Sequence, residues 1–270
     1  MKLTFALLCL SVTAFAQSKP DTIFYENFNA KNLDRSRWNV EVTGRTVNNE
    51  QQAYVDSASV LSLRGGLLHI TPVYHPGYVS DQQKKYDFLS GRINTRDKVQ
   101  FTYGTASARI KMTAGQGLWP AFWALGQGKW PDCGEIDMME NVGEPGWVSH
   151  ALHGPGYSGN TPLSYKDTLI KGIDITKWHI YAVKWTADSI VFSVDNKVTY
   201  TVTRAMVEKY GRWAYDNPKY LILNFALGGG YPHGINKVEA PYYGLPQNTV
   251  DKIKAGKAEF LVDWVLVVRN

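Results

Sequence analysis

Short runs of alternating or wholly apolar residues recur along the chain, separated by Gly, Pro, Asn and Asp, and they predict strands. Leu67 to Thr71 follows the turn Arg64-Gly65-Gly66, and Thr105 to Met112 alternates around Ala106, Ala108 and Ile110. Ser189 to Val194 and Lys197 to Val202 flank Asp195-Asn196, a two-residue hairpin signal. Tyr220 to Leu227 and Phe260 to Val268 are almost wholly apolar, as strands in the middle of a layered sheet should be. Helical periodicity is weak: Thr203 to Tyr210 and Thr249 to Ala255 each suffice for two turns. Many short strands with little helix predict an all-β sandwich or barrel.

One segment carries candidate chemistry. Gly134-Glu135-Ile136-Asp137-Met138-Met139-Glu140 sets three carboxylates within six residues, spaced by apolar side chains. In a strand Glu135 and Asp137 share a face, and Glu140 falls on the other. A bulge at Met138-Met139 would return Glu140 to the face of its partners. Glu135 and Glu140 would then lie about 13 Å apart along the backbone, at about 3.3 Å per residue. Their side chains can lean to about 5 Å, the carboxyl separation of a retaining glycosidase. A solvated acidic edge is the plainer alternative, but it has no need of Ile and Met between its charges. Three carboxylates on one face cannot all ionise cheaply, so at least one pKa must rise.

Aromatic residues make up 13% of the chain, with nine Trp and sixteen Tyr, side chains that stack on sugar rings as well as filling cores. Trp119 and Trp123, four apart in an extended segment, fall on one face and read as a cleft floor, a core cluster being the alternative. Trp130 is a further candidate sugar contact. His150 and His153 invite a metal reading, but their odd spacing puts them on opposite faces. Gly154 to Gly159 fits a dinucleotide-binding glycine pattern, yet Pro155, Pro162 and the lack of a following helical period make it a loop.

The N-terminus changes the picture of the address. Met1-Lys2, an apolar run from Leu3 to Phe15 and Ala14-Phe15-Ala16 read as a secretory signal peptide over residues 1–16, cleaved after Ala16. No later run reaches the ~18 apolar residues of a membrane span. The mature chain, residues 17–270, is expected to be a single domain, monomeric, and secreted or periplasmic. Removal of Cys9 leaves Cys133, which excludes a disulfide framework and reads as a buried filler rather than a nucleophile. The net charge of +5 is scattered rather than clustered, so nucleic acid is not indicated.

Leu118-Trp119-Pro120-Ala121-Phe122-Trp123 followed by Gly134 to Glu140 resembles family 16 of the glycoside hydrolases, in its laminarinase-like branch. Asn48-Asn49-Glu50, Ser90-Gly91-Arg92-Ile93, Tyr103-Gly104, Ala108 to Lys111, His153 to Gly159, Leu223-Asn224 and Val262 to Val265 extend the likeness over nearly all of residues 23 to 270. The resemblance implies a concanavalin-like jelly roll: two curved antiparallel sheets with a concave substrate cleft. It implies Glu135 as nucleophile, Glu140 as acid/base and Asp137 as support of the nucleophile. Glu135 is then expected to stay ionised while the Glu140 pKa rises. Asn49, Glu50, Arg92 and His153 match cleft positions. Glu26, Gly66 and Asp263 match a structural Ca²⁺ site on the convex side, a hard cation that suits oxygen ligands. The chemistry itself requires no cofactor.

The implied activity is endo-acting hydrolysis of β-1,3-glucan with retention. Mixed-linkage β-1,3-1,4-glucanase and agarase or carrageenase activity remain alternatives, as does a non-catalytic glucan-recognition protein, which would be expected to lose the acids. One departure bears on linkage: after Gly228-Gly229-Gly230 the family runs through a short Trp-Pro loop. Here Tyr231-Pro232-His233-Gly234 opens a long segment to Gly256, expected at one rim of the cleft.

Overall fold

The structure is a computed structural model that describes residues 21–43, 47–168 and 173–269. The signal-peptide expectation falls on residues 1–16, outside the described residues. Two antiparallel sheets stack into a sandwich. In the outer sheet the order is Lys197–Thr203, Ser189–Val194, His179–Trp185, Gly104–Met112, Phe260–Val268, Leu67–Ile70 and Leu61–Arg64, with Thr22–Glu26 also pairing Phe260–Val268. In the second, the cleft sheet, it is Ser164–Asp167, Val148–His153, Glu135–Glu140, Leu118–Gly126, Lys219–Leu227, Arg92–Asn94 and Asn39–Val40. This is the all-β jelly-roll sandwich expected from the strand pattern and the resemblance. A small third sheet, Gln52–Tyr54, Lys85–Ser90 and Val73–Val79, flanks it around its own cluster of Ala53, Val60 and Tyr86.

The two most apolar segments take central places, as their composition requires. Lys219–Leu227 lies between Leu118–Gly126 and Arg92–Asn94, and is buried along its whole length. Phe260–Val268 lies between Gly104–Met112 and Leu67–Ile70. Phe225 and Phe260 meet across the sandwich with ring centroids 6.1 Å apart. Along Leu118–Gly126 the alternation is strict: Leu118, Phe122 and Ala124 enter the core, while Trp119, Ala121, Trp123 and Leu125 face the opposite side.

Asp195 and Asn196 both take positive φ, 50° and 63°, the geometry that matches the twist of a two-residue hairpin. The two expected helices are present but shifted or shortened. Arg204–Val207 is capped by the Thr203 side chain, and Gln247–Lys254 begins two residues early. A helix the sequence pattern did not suggest, Gly230–Asn236, opens the segment read as a rim loop. Its glycines and proline argue against helix in isolation. Pro232 sits in the first turn, where a missing N–H costs nothing, and Lys237 closes the helix in the left-handed region. Among the described residues no helix is long and apolar enough to cross a membrane.

Candidate active site

The bulge decides what the acidic strand can do. Against Leu118–Gly126, Phe122 pairs with Met139 and Trp123 with Asp137, so Met138 has no opposite number. On the other side Asp137 faces Ala151 and Glu140 faces Ser149, leaving His150 opposite both methionines. His150 bonds the spare carbonyl, Nδ1 to Met138 O at 2.8 Å, and its Nε2 lies 2.9 Å from Thr199 Oγ1. Two consecutive methionines thereby enter the core, and Glu135, Asp137 and Glu140 all line one cleft. Gly134 is needed just before the strand: its φ is +72°, and a Cβ there would lie 2.2 Å from the Ala214 carbonyl oxygen.

The cleft has a volume of about 310 Å³, at the lower end of the range of about 300–1,000 Å³ for small-molecule sites. Each glutamate is held by a different tryptophan. Trp130 Nε1 donates to Glu135 Oε2 at 2.8 Å, and Trp119 Nε1 donates to Glu140 Oε1 at 2.8 Å. His153 Nε2 stands 3.1 Å from Asp137 Oδ2 and 3.9 Å from Glu135 Oε1, so it faces the carboxylates, while His150 is buried on the other face. The pair is therefore not a metal-binding couple.

At the other end a polar relay leads away from the acids. Trp123 Nε1 donates to Asn224 Oδ1 at 2.7 Å, Asn224 Nδ2 to Tyr54 OH at 3.1 Å, and Tyr54 OH to Glu50 Oε2 at 3.3 Å. Gln52 Nε2 also donates to Glu50, at 2.7 Å. Arg92 pairs with Glu41, Nε to Oε2 at 2.8 Å, and its guanidinium lies 4.9 Å from the centre of the Trp123 ring. Trp119, Trp123, Trp130 and Arg92 all line the cleft, as expected from sequence.

Asn49 does not. It is exposed and borders a separate depression with Lys84 and Tyr86, while its neighbours Asn48 and Glu50 face the cleft. The residues missed from sequence are Glu41, Gln52 and Tyr54. Gln52 and Tyr54 share the Glu50 face at period two, a signal that was present in Glu50-Gln51-Gln52-Ala53-Tyr54. Asn224, a lone polar side chain inside an apolar strand, was the other one.

Burial dominates the electrostatics. It pushes the Glu135 pKa up to about 8, with the Asp137 charge adding to it and His153 and the Trp130 N–H opposing it. It pushes Glu140 to about 7 against the Trp119 hydrogen bond, and holds Asp137 well above the usual carboxylate range. The sequence led to an ionised Glu135 beside a raised Glu140, whereas burial pushes all three carboxyls upward. Burial also raises the Cys133 thiol, which suits its reading as a filler.

Both carboxylates of the implied calcium set have side-chain partners of their own. Glu26 accepts from the Phe28 N–H at 2.9 Å and the Trp38 indole at 3.2 Å, with Arg37 at 3.4 Å. Asp263 accepts from Arg109 Nη1 at 2.5 Å. A Cβ at Gly66 would lie 2.6 Å from Asn29 Oδ1. Each of the two carboxylates thus forms an ion pair with an arginine.

Known proteins share this arrangement of strands. The Glycosyl hydrolases family 16 profile matches residues 35–239. The chain is 33% identical over 240 residues to glucan endo-1,3-beta-glucosidase A1 of Niallia circulans, covering 78% of this chain and 34% of that protein, about a third of its length. It is 29% identical over 263 residues to a beta-glucanase of Rhodothermus marinus, covering 92% of this chain and 85% of that one. The X-ray structure of endo-beta-1,3-glucanase from Pyrococcus furiosus superposes with a TM-score of 0.80 at 31% identity, covering 92% of this chain and 94% of the other. The chain is a glycoside hydrolase and belongs to family 16, in its laminarinase-like branch.

Proposed function

We propose that the protein is an exported, endo-acting β-glucanase that cleaves β-1,3-glucosidic bonds of laminarin-type glucans with retention of anomeric configuration. The observation that carries the reading is the bulge, which brings Glu135 and Glu140 onto one cleft face with a separate indole donor on each. Glu135 attacks the anomeric carbon as the glycosidic C–O bond breaks, and Glu140 gives its proton to the departing oxygen. Water then loses a proton to Glu140 and opens the glycosyl ester, freeing Glu135. Asp137, the most buried of the trio, stands beside Glu135 and modulates the negative charge that Glu135 carries. Positive charge developing on the sugar ring draws that charge out in the transition state.

Trp119 and Trp123 offer ring faces for a curved glucan, and the names of the relatives favour β-1,3 linkages. The N-terminal leader supports export after cleavage near Ala16, and the mature chain, 17–270, acts as a monomeric catalytic domain on its polysaccharide. The test is reducing-sugar release from laminarin, lichenan, agarose and carrageenan in parallel, with NMR of the first-formed anomer. Rapid cleavage of laminarin to the β-anomer is expected. Brisk cutting of lichenan with laminarin untouched would make it a mixed-linkage enzyme, and an initial α-anomer would overturn retention.

A further inference from the structure

Beside Trp119 stands Tyr231. It is the second residue of the unexpected helix Gly230–Asn236, in the segment that departs from the family pattern. Its ring meets Trp119 edge-on, with centroids 5.4 Å apart and planes at 77°. Its hydroxyl lies 3.0 Å from Ser149 Oγ. Ser149 is the residue directly opposite Glu140 in the ladder, and its Oγ donates to the Glu140 carbonyl at 3.4 Å. Each hydroxyl can donate or accept, so the Tyr231–Ser149 bond links the tyrosine to the strand opposite Glu140 whichever of the two carries the proton.

We propose that Tyr231 is a positioning residue for the general acid, wedged between Trp119 and Ser149 so that the Trp119 indole N–H stays on the Glu140 carboxyl. The inference rests on Glu140 being the acid. Tyr231 touches both groups that hold Glu140: Trp119, which binds the carboxyl at 2.8 Å, and Ser149, which binds the main chain. The wedge is itself fixed. Gly230 N donates to Asn48 O at 2.7 Å, and Gly229 N to Tyr243 O at 2.9 Å, so the first turn is tied to two other segments. Burial and the nearby Glu140 charge keep the tyrosine hydroxyl neutral, so it does not serve as a second acid.

The N–H of Trp119 favours the ionised carboxylate, so an indole that drifts away leaves Glu140 holding its proton to higher pH. The other charged or titratable groups facing Glu140 are Glu135, Asp137, His153 and Glu50, and a change at Tyr231 leaves them in place. Tyr231→Phe keeps the ring against Trp119. Tyr231→Leu fills the space and keeps water out, but gives up both the aromatic edge and the hydroxyl.

The experiment compares Tyr231→Phe, Tyr231→Leu, Trp119→Phe and the Leu/Phe double variant. Substrates are laminarin and an aryl β-glucoside of laminaribiose whose phenolate needs no protonation. For Tyr231→Leu, kcat on laminarin should fall about tenfold, part of the ~10²–10⁴ that general acid catalysis supplies, with the aryl substrate nearly unaffected. The alkaline limb of kcat/KM should move up in both Tyr231→Leu and Trp119→Phe, and the double variant should move it no further. Tyr231→Phe should restore most of the loss. An unmoved limb, an equal loss on both substrates or additive shifts in the double variant would overturn the wedge. Thermal melting of each variant separates misfolding from that result. A Glu140→Gln variant that still turns over laminarin at wild-type rate would sink the assignment of the acid itself.

Discussion

The indole N–H of Trp130 reaches Oε2 of Glu135 at 2.8 Å, although the Trp130 side chain is 46% exposed. A residue on the open rim of the cleft is thereby tied to the carboxyl at its floor. The bond stabilises the ionised form of Glu135, against burial and the neighbouring Asp137. Trp130→Phe keeps an aromatic face for the sugar and removes the donor. Hydrogen bonds to charged groups contribute about 1.5–3 kcal/mol, and partial exposure puts this one toward the lower end, so kcat/KM should fall about tenfold. The acid limb should move to higher pH, since Glu135 must be ionised to attack. A variant with an unmoved acid limb would show that the bond serves only the loop.

The carboxyl pKa values set a pH window. Below about 7 both glutamates hold protons and the nucleophile is lost; above about 8 both are ionised and the acid is lost. The pair carries one proton between these limits, and the two apparent values belong to the pair rather than to either residue. The kcat/KM profile on laminarin should therefore be a bell centred between pH 7 and 8. An optimum near pH 5 would mean that the cleft is better hydrated than its burial implies.

Chemical rescue assigns the roles. Glu135→Ala should abolish turnover, and azide should restore part of it as the inverted glycosyl azide by occupying the vacated space. Glu140→Ala should keep activity on substrates whose leaving group needs no proton. Swapped rescue patterns, read by NMR of the product, would reverse Glu135 and Glu140.

The raised Glu135 pKa also predicts stability. Between the unfolded value near 4.5 and the folded value of about 8, the folded state binds more protons, so stability falls as pH rises through that interval. Glu135→Gln carries no charge at any pH. Its melting temperature should match the wild type at pH 4.5 and exceed it at pH 8 by a few degrees, at about 2–4 °C per kcal/mol for domains of about 150–250 residues. Calorimetry showing equal melting temperatures at pH 8 would contradict the burial penalty.

What the chain determines alone is what periodicity and local geometry can express. The apolar runs of Lys219–Leu227 and Phe260–Val268 specify central strands because both faces must be covered. Asp195-Asn196 specifies its hairpin because both residues tolerate positive φ. The five-residue interval from Glu135 to Glu140 requires an odd residue somewhere between them if the acids are to share a face, and the bulge at Met138 supplies it. These are local constraints, and they are legible without a fold.

Other features were settled by groups remote in sequence. Gly230–Asn236 is helical against its own composition because its first turn is tied to Asn48 and its neighbour Gly229 to Tyr243. Asn49 faces away from the cleft while Asn48 and Glu50 line it, a matter of positive φ at Asn48 and Asn49 that motif matching does not see. Arg37 and Arg109 occupy the carboxylates that the resemblance set aside for calcium. The proton affinities of Glu135, Asp137 and Glu140 were set last, since desolvation depends on everything packed around a carboxyl and not on the residues beside it in the chain.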